Sequence, residues 1–202
     1  MKVAAVVLAA GKSERMGRNK LLLKVGGRPI LDLLLSTLDS SAIDEVFVVL
    51  GHRPEELRGL VEAHDAEIVF NPDYEQGMTS SFKAGLRRVS AEAVFLVLGD
   101  QLGLETELLD RMAAKMEADQ EALIVSPVYQ GRRGHPVLFR QRVFKEVLDL
   151  GKGENLRDLV LRHEADHRFV EGSVWCVTDV DTPEDFEKAK KLFEASRDAV
   201  LL

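Results

Sequence analysis

Val3-Ala4-Ala5-Val6-Val7-Leu8 is a continuous apolar run, rich in β-branched residues, that leads into Ala9-Ala10-Gly11-Lys12-Ser13. A strand with one wet face alternates polar with apolar residues, whereas a strand covered on both faces reads as an unbroken apolar run. This stretch is therefore expected to be a central strand between two layers of helices. Similar runs recur at Glu45 to Leu50 before Gly51, Ala66 to Phe70 before Asn71-Pro72, Ala93 to Leu98 before Gly99-Asp100, and Ala122 to Val125 before Ser126-Pro127. Helical spacing of apolar residues fills the gaps, at Pro29 to Leu38, Pro54 to Ala63, Ser80 to Val89 and Glu105 to Met116.

Strands alternating with helices imply right-handed crossovers and a mostly parallel sheet, hence an α/β protein of three layers, α/β/α. Ligands of such sheets sit beyond the carboxyl ends of the strands. The least ordinary residues of this chain fall at those ends. After Pro127 the alternation loosens: Tyr129 to Gly134 reads as a turn into a short strand over Pro136 to Phe139, followed by short helices over Gln141 to Leu150 and Glu154 to His163. Phe169-Val170 and Val174 to Val177 read as late strands, and Pro183 to Ser196 as a charged amphipathic helix. No repeat or linker interrupts the chain, so residues 1–202 are read as a single domain with a smaller irregular portion.

The chain has 202 residues, 46% hydrophobic and 30% charged, with 27 basic and 34 acidic side chains and a formal net charge of −7. That length buries a sizeable core without disulfides. One cysteine, Cys176, forms neither an internal bridge nor a zinc cage, which points to a reduced, cytoplasmic setting. Net acidity argues against nucleic acid and anionic membranes as partners, because those surfaces are held by clustered Lys and Arg. The run of eight apolar residues from Val3 to Ala10 is too short to span a bilayer, and the basic stretch after it does not resemble a cleavage site.

Within this acidic chain, Lys12, Arg15, Arg18, Lys20, Lys24 and Arg28 face a single acidic residue, Glu14, over the same span. Placed after a strand, with glycines that let backbone amides approach an anion, this loop is a phosphate site on physical grounds. The spacing from Gly11 to Gly17 matches neither a Walker loop nor the Gly-x-Gly-x-x-Gly fingerprint. Gly99-Asp100 puts a carboxylate at the end of an apolar strand, where a hard cation bridging phosphates needs only one or two such ligands. In Asp179-Val180-Asp181-Thr182-Pro183-Glu184-Asp185, the last four residues are helix-start grammar: Thr182 as cap, Pro183 at the first position, Asp185 as the capping partner. Asp181 is left over, on the same side of an extended segment as Asp179. The Thr79-Ser80-Ser81 cluster ahead of a periodic segment reads as a helix cap, at Thr79 or Ser80. His52, His64, His163 and His167 show no ligand spacing and are expected on the surface.

From Leu8 to Lys20 the chain resembles the nucleotidyltransferases of the molybdenum-cofactor group. Their motif is Leu-Ala-(Ala or Gly)-Gly, a few residues, Arg-Met-Gly, two residues and Lys, matched here by Leu8-Ala9-Ala10-Gly11, Arg15-Met16-Gly17 and Lys20. The likeness continues in order through Gly77-Met78 with Ser80 and Ser81, Gly99-Asp100-Gln101, Gly134-His135-Pro136-Val137 and Asp179-Val180-Asp181-Thr182-Pro183. It departs where Leu102 replaces a proline, and it thins at Gly153-Glu154-Asn155-Leu156-Arg157.

The resemblance implies a nucleotide-diphospho-sugar-transferase-like, Rossmann-like fold, with residues 1–127 binding nucleotide and 128–202 binding the acceptor and completing the metal site. It implies a nucleotide site of Leu8, Ala9, Ala10, Gly11, Lys12, Ser13, Arg15, Lys20, Asn71, Gly77, Ser80, Ser81 and Gly99. Catalysis would fall to Arg15, Lys20 and Asp100, with Mg²⁺ on Asp100 and Asp181. Gln101, His135 and Arg157 would face the acceptor. Ala10 is similar to the cytidylyl-transferring branch, which implies CTP and the molybdenum cofactor (molybdopterin) as substrates and a molybdoenzyme as receiver of the product. The alternatives are a transferase using GTP or a sugar or polyol phosphate, and a non-catalytic chaperone that binds nucleotide or pterin.

Overall fold

The computed structural model describes residues 1–151 and 153–200, with side chains through residue 196. Among the described residues ten strands form, β1 (Val3–Ala9), β2 (Lys24–Val25), β3 (Arg28–Pro29), β4 (Glu45–Leu50), β5 (Glu67–Phe70), β6 (Ala93–Leu98), β7 (Ile124–Tyr129), β8 (Arg132–Arg133), β9 (Val137–Arg140) and β10 (His167–Glu171). Seven α-helices accompany them, α1 (Ile30–Asp39), α2 (Glu55–Val61), α3 (Met78–Leu86), α4 (Thr106–Ala118), α5 (Phe144–Asp149), α6 (Leu156–Arg162) and α7 (Pro183–Val200).

The main sheet runs β10-β7-β9-β6-β1-β4-β5, with β8 on β7 and with β2 and β3 forming a separate ribbon. All its pairings are parallel except those made by β9 and β8. This is the mostly parallel α/β sheet expected from the apolar runs. Along β1, Ala5 and Val7 bury into one core with α1, α2 and α4, while Ala4 and Val6 bury into the other with α3, α5 and α6. The unbroken apolar run is thus explained, since each fully buried Val or Leu adds about 1.5–3 kcal/mol and neither face can spare one. A third cluster ties Met16, Leu23 and Val25 to Trp175, Val180, Phe186 and Ala189, fastening α7 onto the segment after β1.

Two expected elements differ. Val174–Val177 is a 3₁₀ turn, not a strand. The sheet position beside β7 is already filled by β10, and Cys176 N–H closes the turn on the Ser173 carbonyl at 3.1 Å. β7 continues through Pro127 to Tyr129, because β9 pairs at Ile124 and Val125 and β8 resumes at Val128. Proline sits between those two pairings, where a missing N–H breaks no bond to either. Two of the four histidines expected on the surface are also enclosed. His167 is buried with Nε2 2.9 Å from Ser126 Oγ, and the His64 ring lies between Asp39 (2.6 Å) and Asp32 (3.1 Å). No helix among the described residues is long and apolar enough to cross a membrane.

Candidate active site

β1 is flanked by β4 on one side and β6 on the other, so the chain winds away from it in both directions. Leu8 pairs with Leu98 in parallel register, which sets the loop after β1 beside Gly99-Asp100 after β6. Gly99 N–H donates to the Leu8 carbonyl at 3.0 Å, and a Cβ at Gly99 would come within 2.7 Å of that oxygen. Glycine is therefore the residue that lets the two strand ends close together.

The loop after β1 turns at Ser13, whose φ is +53°, and its hydroxyl accepts the Lys20 N–H at 3.2 Å. A 3₁₀ turn over Glu14–Met16 ends on Gly17, with φ +68°, and a second over Lys20–Leu22 is capped by Asn19. Met16 is the buried anchor, so Arg15 and Lys20 are carried on a loop fixed from beneath. On the far side, the Thr182 hydroxyl accepts Asp185 N–H at 3.2 Å while the Asp185 carboxylate accepts Thr182 N–H at 3.0 Å. That reciprocal cap starts α7 and leaves Asp181 projecting just before it.

These segments enclose a cavity of about 630 Å³, within the usual range for a small-molecule site. Leu8, Ala9, Ala10, Gly11, Lys12, Ser13, Arg15, Lys20, Gly77, Ser81, Asp100, His135 and Asp181 all line it. Tyr74, Met78 and Asp179 line it too. Of these Asp179 was foreshadowed by sharing a side with Asp181, whereas nothing in the local pattern marks Tyr74.

Five expected residues lie elsewhere. Asn71 is buried behind the cavity wall, and Ser80 faces a neighbouring cavity of about 370 Å³ beside Lys83 and Glu154. Gly99 acts through its backbone. Gln101 is buried, with Nε2 donating to the His135 carbonyl at 2.7 Å, so it holds the His135 segment from behind rather than facing the cavity. Arg157 is exposed on α6, outside both cavities.

At the centre, the Lys20 ammonium contacts Asp100 and lies 2.8 Å from Asp181 Oδ1, while Arg15 Nη1 lies 3.1 Å from Asp181 Oδ2. The Lys20 ammonium, helped by Arg15, holds the Asp181 carboxyl below the usual carboxylate range. Burial works against the Lys20 charge, but Asp100 and then Asp181 outweigh it and raise the lysine's pKa. Burial lowers the pKa of His135, against the opposing pull of Asp100 and Asp179. At the mouth, Lys12 reaches Glu75 at 2.5 Å.

Two carboxylates converging on one ammonium form a hard, all-oxygen donor pair, and that chemistry fits a divalent cation shared with substrate phosphates. Among the described residues no third His, Cys, Asp or Glu joins them as a protein-only metal cage. The remaining ligands of such a cation would have to come from phosphate and water.

Fold and cavity together define a class, an α/β nucleotidyltransferase with a basic loop facing paired carboxylates. Residues 5–168 match the MobA-like NTP transferase domain, and the chain belongs to that family. It is 30% identical to the molybdenum cofactor cytidylyltransferase of Escherichia coli strain K12, over 95% of this chain and 97% of that one. It is 25% identical to a probable molybdenum cofactor guanylyltransferase of Natranaerobius thermophilus, over 94% and 95%. Among solved structures, Rv0371c of Mycobacterium tuberculosis H37Rv matches with a TM-score of 0.80 at 28% identity, covering 95% of this chain and 98% of that one. Its manganese complex matches with a TM-score of 0.75 at 26% identity, covering 95% and 99%. The fold is thus that of the nucleotide-diphospho-sugar transferases, as the motif likeness implied.

Proposed function

We propose that the protein transfers CMP from CTP to the terminal phosphate of the molybdenum cofactor, forming molybdopterin cytosine dinucleotide and pyrophosphate in the cytoplasm, for delivery to a molybdoenzyme. The observation that carries this reading is the single cavity in which Arg15 and Lys20 face Asp100 and Asp181. Ala10 in the first loop and the 30% identity to a cytidylyltransferase favour CTP over GTP.

A phosphate oxygen of the acceptor attacks the α-phosphorus of CTP, and the bond from that phosphorus to the bridging oxygen of the β-phosphate breaks. The acceptor is a phosphomonoester with a second pKa near about 6, so it is already largely dianionic and needs no general base. This suits a cavity without a Ser-His-Asp or Cys-His arrangement. Lys20, Arg15 and the amides of Ala10 to Ser13 bind the triphosphate and take up the charge that builds on the departing pyrophosphate, so catalysis is mainly positioning and charge neutralisation. A magnesium ion held by Asp100 and Asp181 would polarise the α-phosphate. His135, half-buried, borders the acceptor side, with Gln101 Nε2 donating to its backbone carbonyl.

The test is to incubate the purified protein with Mg²⁺, molybdenum cofactor and each nucleoside triphosphate, and to measure pyrophosphate and dinucleotide. The expected result is release with CTP well above GTP. Release with GTP alone, or only with a sugar or polyol phosphate as acceptor, would reassign the substrates. Nucleotide binding with no pyrophosphate under any acceptor would make the chain a cofactor carrier.

A further inference from the structure

Among the described residues, the Asp100 and Asp181 carboxylates pair only with Lys20 and Arg15, the cations that a triphosphate would draw away. Once those cations turn to phosphate, the placement of the two carboxylates rests on the packing beneath their backbones. Metal affinity depends on groups that orient the ligands as well as on the ligands themselves.

Gly103, three residues after Asp100, has φ +73°, and a Cβ there would lie 2.6 Å from Cγ and 2.7 Å from Cε2 of the Trp175 ring. The indole therefore rests on bare backbone, in a contact that a side chain at position 103 would prevent. Leu102 is 1% exposed and belongs to the same apolar cluster as Trp175. It stands where the motif this chain resembles has proline, so no pyrrolidine ring stiffens the segment after Asp100. The buried leucine and the indole hold it instead.

The other carboxylate is tied to the same ring. Val180, next to Asp181, is fully buried in that cluster together with Phe186 and Ala189 of α7. Phe193, also on α7, meets the indole edge to face, with ring centroids 5.8 Å apart at 72°. The turn that carries Trp175 is itself anchored: the Cys176 carbonyl accepts His135 N–H at 2.8 Å, and the Thr178 hydroxyl donates to the Val174 carbonyl at 2.8 Å. One side chain thus touches both the segment after Asp100 and the helix after Asp181.

We propose that Trp175 is a positioning residue for the metal site, its indole wedged between Gly103 and α7 so that it sets the separation of Asp100 from Asp181. Trp175 does not line the cavity and acts through the two carboxylates. This rests on the reading of Asp100 and Asp181 as the metal pair.

The experiment measures Mn²⁺ affinity by electron paramagnetic resonance of the free ion, metal-free CTP binding by calorimetry in a chelator, and the fold of each variant by melting curves. Trp175→Leu weakens Mn²⁺ by about 10-fold or more, the scale of losing a group that orients a metal ligand, while metal-free CTP binding stays at the wild-type value. Trp175→Phe, which keeps an aromatic face against Gly103, restores most of the Mn²⁺ affinity. A lower melting temperature with wild-type Mn²⁺ affinity in Trp175→Leu would make the residue a core filler and overturn the inference. If Trp175→Leu does not fold, Gly103→Ala tests the same contact with the indole present. Its Cβ displaces the ring, so the emission of the protein's one tryptophan shifts and Mn²⁺ affinity falls with it. Shifted emission with unaltered Mn²⁺ affinity, or weakened Mn²⁺ with unaltered emission, would overturn the inference. Asp100→Ala separates the underlying reading: Mn²⁺ affinity indifferent to that change would mean that the carboxylates are not the metal pair, whereas a loss there with none in the Trp175 and Gly103 variants refutes the positioning alone.

Discussion

Lys20 Nζ lies 2.8 Å from Asp181 Oδ1 and also contacts Asp100, so one ammonium closes the gap between carboxylates brought from the end of β6 and the start of α7. A cation therefore already stands where a divalent ion would bridge them. Nucleotide offers Lys20 and Arg15 a competing anion, which frees the carboxylates, so nucleotide and metal are expected to bind cooperatively. Lys20→Ala should bind Mn²⁺ more tightly than wild type in the absence of CTP, by about 10-fold or more, as two unneutralised carboxylates favour the ion. Its turnover should fall nonetheless. Electron paramagnetic resonance of free Mn²⁺ measures the first quantity, and weaker Mn²⁺ binding in the variant would refute the displacement.

Asp100→Ala should reduce pyrophosphate release by about 10²–10³-fold or more, the scale of losing one group that stabilises transition-state charge. The melting temperature should remain close to wild type, because Asp100 lies at a strand end outside all three apolar clusters. Normal turnover in a folded Asp100→Ala protein would show that the carboxylate has no part in the reaction.

His167 provides a pH prediction. Burial pushes its pKa down to about 4, against roughly 6.5 in an unfolded chain. Between those values the unfolded chain holds a proton that the folded chain does not, so stability falls as pH falls from about 6.5 to about 4 and levels off below. The loss attributable to this one residue is about 3 kcal/mol at most. Urea unfolding across that range should show a shallower pH slope in His167→Gln than in wild type, whatever the absolute stabilities.

Thr182→Ala removes one half of the cap that starts α7. A destabilisation of about 1 kcal/mol is expected, read as a lower urea midpoint. Asp181 precedes this cap directly, so the variant should also raise the Mn²⁺ concentration needed for half-maximal turnover while leaving CTP binding without metal unchanged.

The layered fold was legible because its signal is local and repeated. Five apolar runs with loops at their carboxyl ends allow little besides a mostly parallel sheet, and the basic span from Lys12 to Arg28 stands out in an acidic chain. The cap at Thr182 and Asp185 was legible for the same reason, since its partners lie three residues apart. The turn at Val174–Val177 was not, because its residues have strand character and only the presence of β10 beside β7 forbids pairing. The burial of His167 was not legible, because it depends on which way a short edge strand faces. Asn71 and Gln101 were expected at the ligand, but sequence position says nothing of which side of a cavity wall a side chain occupies.

The amino-acid sequence alone determined the strand and helix alternation, the basic loop after β1 and the chemical types available to the site. These follow from periodicity and short-range hydrogen bonding, which act within a few residues. Only the tertiary structure decided that Lys20 bridges Asp100 and Asp181, that Tyr74 and Asp179 join the cavity, and that Ser81 rather than Ser80 lines it. Those outcomes depend on sheet register and on donors and acceptors meeting across distant segments, a matter of three-dimensional accounting that no local pattern records.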